Sequence, residues 1–158
     1  MNNNDEIRAT QQLLIGSGAL LIFAAGIAGF GFLFFLLGEI NIWPFPVIDY
    51  QVPGSVKAWR MTHLEGVIGG LIQWIFALML PLLPFASRTL RWMGISMISV
   101  GWMFTVASSF DALFTDSRGL AIGGPLTNNI AFFLFYVGIL MVMGILLAIG
   151  YRCLFSRR

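Results

Sequence analysis

The chain has 158 residues, of which 58% are hydrophobic, 15% aromatic and only 10% charged, with a mean hydropathy of +0.87. A soluble domain carries roughly 25% charged residues and at this length still exposes about a third of its unfolded surface, so this composition excludes a water-soluble fold. The net charge of +2 contains no basic run, which argues against nucleic acid as a partner, and the single Cys153 excludes an internal disulfide or a cysteine-based metal cluster.

The solvent that fits is the lipid bilayer. The sequence predicts an all-α membrane protein, a single domain over residues 1–158 built as a four-transmembrane-helix bundle. Each span needs about 20 mostly apolar residues, and an open sheet cannot satisfy its backbone in lipid. The first predicted helix, 13–38, has no charge between Arg8 and Glu39. It is too long for a signal sequence and lacks a basic leader, so it is expected to be retained. Gly16, Gly18, Ala25 and Gly29 line it with small residues.

The second predicted helix, 58–85, comes after a segment containing Pro44, Pro46 and Pro53-Gly54, with Ser55 as its expected N-cap. It carries His63 and Glu65 in its first turns and Gly66, Gly69 and Gly70 beyond them; Pro81 and Pro84 close it. The third helix, 90–114, has a polar streak of Ser96, Ser99, Thr105, Ser108, Ser109 and Asp111. Gly119, Gly123, Gly124 and Pro125 break the chain before the fourth helix, 127–155. Small-xxx-small spacings at Ala25/Gly29 and Gly66/Gly70 predict close helix packing.

Basic residues set the expected orientation. Arg8, Arg88, Arg91, Arg152, Arg157 and Arg158 fall at one end, and Lys57, Arg60 and Arg118 at the other. The positive-inside rule then places both termini in the cytoplasm.

His63 is the single histidine, about two turns inside the second helix. Trp59, Gly66, Val67, Gly70 and Trp74 lie within about 60° of its direction on a helical projection. An imidazole flanked by glycines and tryptophans suits a haem, which needs one protein ligand. The plainer alternative is a histidine that hydrogen-bonds between helices. One His without a cysteine partner cannot close a tetrahedral zinc site. Glu65 points about 160° away from His63. Ser108 and Asp111, one turn apart, are placed to line the outer end of a cavity; the alternative is interhelical hydrogen bonding by the hydroxyls. Arg60 and Arg118 are positioned for a propionate, or Arg118 for Asp111 or Asp116.

Val52-Pro53-Gly54-Ser55, then Trp59, then His63 with Gly66 and Gly70 after it, resembles the styrene oxide isomerase family. Further echoes are Gly101-Trp102, Arg118-Gly119-Leu120 and Gly150-Tyr151, in the same order across nearly the whole chain. The resemblance implies a homotrimer in the bacterial inner membrane, with haem b near subunit interfaces and His63 as axial ligand to iron. With the residue reading beside it, Trp59, Arg60, Gly66, Gly70 and Trp102 are expected around the cofactor, and Ser108 and Asp111 are the catalytic candidates. The implied reaction rearranges a hydrophobic epoxide to an aldehyde, with ferric haem as Lewis acid. Three polar positions of the family are occupied here by Gly69, Val100 and Ser108. The sequence leaves three readings: an epoxide isomerase, a non-isomerase haem protein acting as sensor or redox partner, and a cofactor-free accessory membrane protein.

Overall fold

The computed structural model describes residues 3–155; Arg157 and Arg158, which belong to the basic end of the sequence, lie outside the described residues. The described chain forms helices α1 (Asn3–Leu37), α2 (Val56–Met79), α3 (Ser87–Leu113) and α4 (Leu126–Phe155), with one short 3-10 turn at Leu80–Leu82. All four helices are long and apolar enough to cross a membrane. Among the described residues the extended pairing is confined to one antiparallel bridge, Ile40 to Ile48, in the α1–α2 connection.

The helix ends differ from the sequence expectation in instructive ways. α1 begins ten residues earlier than residue 13, as a polar extension beyond the apolar span. Asp5 and Glu6 occupy its first turn, where carboxylates oppose the positive end of the helix dipole. The extension is also held from outside: Gln11 donates to the Ala77 carbonyl at 2.8 Å, and the Ser87 hydroxyl donates to Glu6 at 2.6 Å. α2 ends at Met79 rather than 85, because Pro81 brings no amide N–H and the chain tightens into the 3-10 turn. Its start agrees with expectation, with Ser55 accepting from the Ala58 amide.

These contacts place the start of α1 beside the α2–α3 turn, and Arg152 near the end of α4 donates to the Pro84 carbonyl there. The main apolar cluster lies at this end, formed by Leu14, Phe76, Leu80, Leu90, Met93 and Met97 among others. α1, α2 and α3 all touch one another, whereas α4 packs against α3. Most large side chains of α1 and α4 face outward, from Phe23 and Phe30 to Leu147 and Leu154. In lipid that exposure carries no hydrophobic penalty.

Glycine decides how closely α1 and α2 approach. A Cβ at Gly70 would stand 2.6 Å from the Gly18 carbonyl oxygen and from Ile22, and one at Gly66 would stand 2.8 Å from the Ala25 methyl. Neither distance is tolerable, so these backbones pack in direct contact. The α3 hydroxyls behave differently from the interhelical role read from the sequence. Ser99, Thr105, Ser108 and Ser109 all donate to carbonyls three or four residues back in their own helix. In an apolar solvent this local bond satisfies the hydroxyl without a partner helix.

Gly70→Ala is expected to lower the stability of the detergent-solubilised protein by roughly 1–3 kcal/mol through overpacking. Gly144→Ala, where a Cβ meets nothing within 4 Å, is expected to leave it unchanged or slightly higher. Thermal unfolding of the two variants side by side checks both.

Candidate functional site

His63 projects from α2 into its seam with α1. Its Nδ1 lies 2.8 Å from the Ala25 carbonyl oxygen. A carbonyl can only accept, so Nδ1 carries a proton, and the neutral ring held by this bond is the Nδ1–H tautomer. Nε2 then carries the free lone pair, and no described residue bonds to it. A histidine whose far nitrogen is anchored to a backbone carbonyl is the usual arrangement for a metal ligand. Gly29 makes the anchor possible: a Cβ there would stand 3.0 Å from Nδ1 and 3.2 Å from Cε1. The ring is half-buried, at the edge of the α1–α2 seam. No cluster of three or more His, Cys, Asp and Glu side chains occurs among the described residues. The donor set therefore fits a group that asks for one protein ligand, such as a haem, and does not fit a caged metal ion.

The neighbours foreseen for His63 serve several different contacts. Trp59 is buried, donates through Nε1 to the Pro53 carbonyl at 2.8 Å, and lays its six-membered ring over Gly31 of α1. Gly54 allows this, with φ of +112° and no room for a Cβ between Trp59 and the Ala112 carbonyl. Gly66 and Gly70 face α1, which fills the space they leave. Arg60 is exposed, without an ion-pair partner among the described residues. Trp102 donates to the Ser17 hydroxyl at 3.0 Å, which lies eight residues, or about 12 Å of helical rise, from the level of Ala25.

Ser108 and Asp111 belong to a second place. They line a cavity of about 850 Å³ between the start of α2, the end of α3, the 114–125 loop and the start of α4. Met61, Lys57 and Ala58 form its α2 wall, on a face about 120–160° around the helix from His63. Within one chain the structure does not bring Ser108 or Asp111 together with His63. Asp111 accepts a 2.7 Å bond from Ser117, and Arg118 makes no ion pair with a described acid. Glu65 lies behind Ser108 at the α2–α3 interface, with Oε2 unpartnered.

Two structural residues, Thr62 and Gln73, escaped the sequence reading, and Asn128 serves the loop rather than the bundle interior. Thr62 donates to the Ser108 carbonyl at 2.7 Å and stitches α2 to α3. Gln73 is fully buried with neither amide atom hydrogen-bonded, pressed against Gly101. Gly69 faces the same glycine one turn away, so Gln73 puts a polar group back at a level where Gly69 and Val100 bring none. Asn128 organises the cavity's loop. Its Oδ1 accepts from the amides of Arg118 and Gly119, and its Nδ2 donates to the carbonyls of Ala121 and Gly123. An Asn shortly after a glycine-rich loop is a recognisable signal for such a clamp.

A family model described as styrene oxide isomerase matches residues 10–154. Among curated proteins, the styrene-oxide isomerase of Pseudomonas fluorescens is 30% identical over 156 residues, covering 95% of this chain and 92% of that protein.

Asn128→Ala removes four bonds from one loop. The expected cost is about 2 kcal/mol, since water replaces part of what is lost at an exposed loop. Trypsin cleavage after Arg118, read by mass spectrometry, is expected to accelerate relative to the parent chain.

Proposed function

The chain belongs to the styrene oxide isomerase family, and we propose that it rearranges a hydrophobic epoxide to a carbonyl compound with haem b bound through His63. The observation that carries this reading is the anchored imidazole: Ala25 holds Nδ1, and Nε2 is left as the nitrogen available to a metal. The reaction is balanced within the substrate. One C–O bond of the epoxide breaks, a hydride migrates between the two ring carbons, and the carbonyl π bond forms, so nothing is oxidised or reduced overall. Ferric haem, when bound, supplies a Lewis acid for the epoxide oxygen.

The chain's own contribution is positional. Ala25 fixes the tautomer and the ring plane of His63, and Gly29 gives the ring its room against α1. The apolar outer surfaces of α1 and α2 keep water from the seam and open it to a substrate dissolved in the bilayer. A site at the edge of one chain is completed by a neighbouring copy, which supports a homotrimer. The bacterial inner membrane, with both termini cytoplasmic, agrees with Arg8, Arg88, Arg91 and Arg152 at the terminal end.

A non-isomerase haem protein is the second reading, favoured by Gly69, Val100 and Ser108 at the family's polar positions. A bis-histidine haem within one chain is excluded, because the chain has one histidine.

The purified protein supplemented with haem is expected to show a Soret band that His63→Ala abolishes or shifts. An epoxide panel without added reductant is expected to yield aldehyde or ketone. Absence of a Soret band overturns the haem reading, and a haem-loaded protein inert toward the whole panel overturns the isomerase in favour of the second reading. Orientation has its own probe in Cys153, which is exposed and free. A membrane-impermeant maleimide is expected to label it only after the inner membrane is permeabilised.

A further inference from the structure

Within one chain, the cavity bounded by α2, α3 and α4 lies on the far side of α2 from His63. At about 850 Å³ it lies within the range of small-molecule sites, and its lining is mainly apolar with a few polar groups at one end. Its α4 wall is aromatic. Phe132 and Tyr136 stack at 5.8 Å, and Phe135 packs on Phe104 at 5.9 Å, so the rings facing the space are braced against one another. Braced rings offer an aromatic ligand an edge or a face without first being ordered. Met61 and Ile139 line the purely apolar part.

The charges are arranged unevenly. Lys57 and Arg118 both line the cavity, both are exposed, and neither has an ion-pair partner among the described residues. Lys57 stands in the first turn of α2 and Arg118 in the loop beyond α3, so both occupy the water-side rim. One carboxylate, Asp111, lines the same space, and it already accepts from Ser117. Two cations against one carboxylate leave a single positive charge, which a monoanion neutralises. Both cations stand at the rim, so an anionic head is held there rather than in the apolar depth. The loop that carries Arg118 is fixed by the four bonds of Asn128, so the rim is preformed.

We infer that this cavity is a second ligand site, taking an amphipathic carboxylate with an aromatic body. The carboxylate sits at Lys57 and Arg118, and the ring lies against Phe132, Phe135 and Tyr136. Within one chain the site is separated from His63 by the width of α2.

The test is calorimetric titration of the full chain in lipid nanodiscs at pH 7 with 6-phenylhexanoate and, separately, its uncharged amide. The acid is expected to bind one site per chain, at least about tenfold more tightly than the amide. Lys57→Gln and Arg118→Gln are each expected to weaken the acid by roughly three- to tenfold and to leave the amide unchanged. Ile139→Trp, filling the apolar end, is expected to abolish binding of both; Ala58→Leu fills the opposite wall and serves if the first variant fails to fold. Equal affinity for acid and amide overturns the charged head. Binding that survives a folded, filled variant overturns the site. Oleate binding more tightly than 6-phenylhexanoate overturns the aromatic body in favour of a lipid acyl chain.

Discussion

The close approach of α1 and α2 is the constraint on which the rest depends. Gly18, Gly66 and Gly70 bring the two backbones together until no Cβ fits between them. At that distance, α2 side chains reach the carbonyls of α1 itself: His63 bonds to Ala25, and Trp74 donates to Ile15 at 2.9 Å. Those carbonyls already serve the helix ladder and use their second lone pair for the crossing bond. In lipid no hydrophobic force presses helices together, so shape fit and such bonds carry the association. The tautomer of His63 is thus a consequence of helix packing. Widen the α1–α2 contact and the imidazole loses its anchor.

On the opposite side of the bundle a helix is held from one side only, and a gap opens. α4 packs on α3, where Gly138 receives the Phe104 ring, and it stands away from α2 near the outer end. The gap becomes a cavity because the 114–125 loop roofs it and Asn128 fixes that roof. Asn128 is buried and spends both ends of its amide on the loop's backbone, so no bonding capacity remains for the bundle interior.

Much of this was legible in the sequence, and the exceptions have physical causes. Helix number comes from long apolar runs, and Ser55 from capping chemistry. The polar beginning of α1 was missed, because residues 3–12 are helical without being apolar; they fold through Gln11, Glu6 and the α2–α3 turn, contacts no local pattern announces. His63 stood out as the single imidazole, but a helical projection cannot say which neighbour fills the space beside it. Gly66 and Gly70 share its face and serve the α1 backbone, and Trp59 shares it and serves Pro53 and Gly31. Gln73 was invisible for the opposite reason: one amide in an apolar run looks like a surface residue until its burial is known.

α2 carries three different environments around one axis. The His63 side meets α1 and is apolar and bilayer-facing. Thr62, about 100° round, is sealed to α3 through the Ser108 carbonyl. Lys57, Ala58 and Met61 face the cavity. A helix with neighbours on two sides keeps less surface for lipid, and α2 accordingly is less exposed than α1 or α4. Its two orphaned polar groups, Gln73 and the Glu65 Oε2, both lie toward α3. An unpaired polar atom in an apolar interior costs free energy that packing must offset, and here it is tolerated where α2 is clasped from both sides by α1 and α3. The same clasp keeps the histidine seam and the cavity apart. A ligand in one is separated from a ligand in the other by the full width of a helix whose rotation is blocked by glycine contacts on one side and by Thr62 on the other.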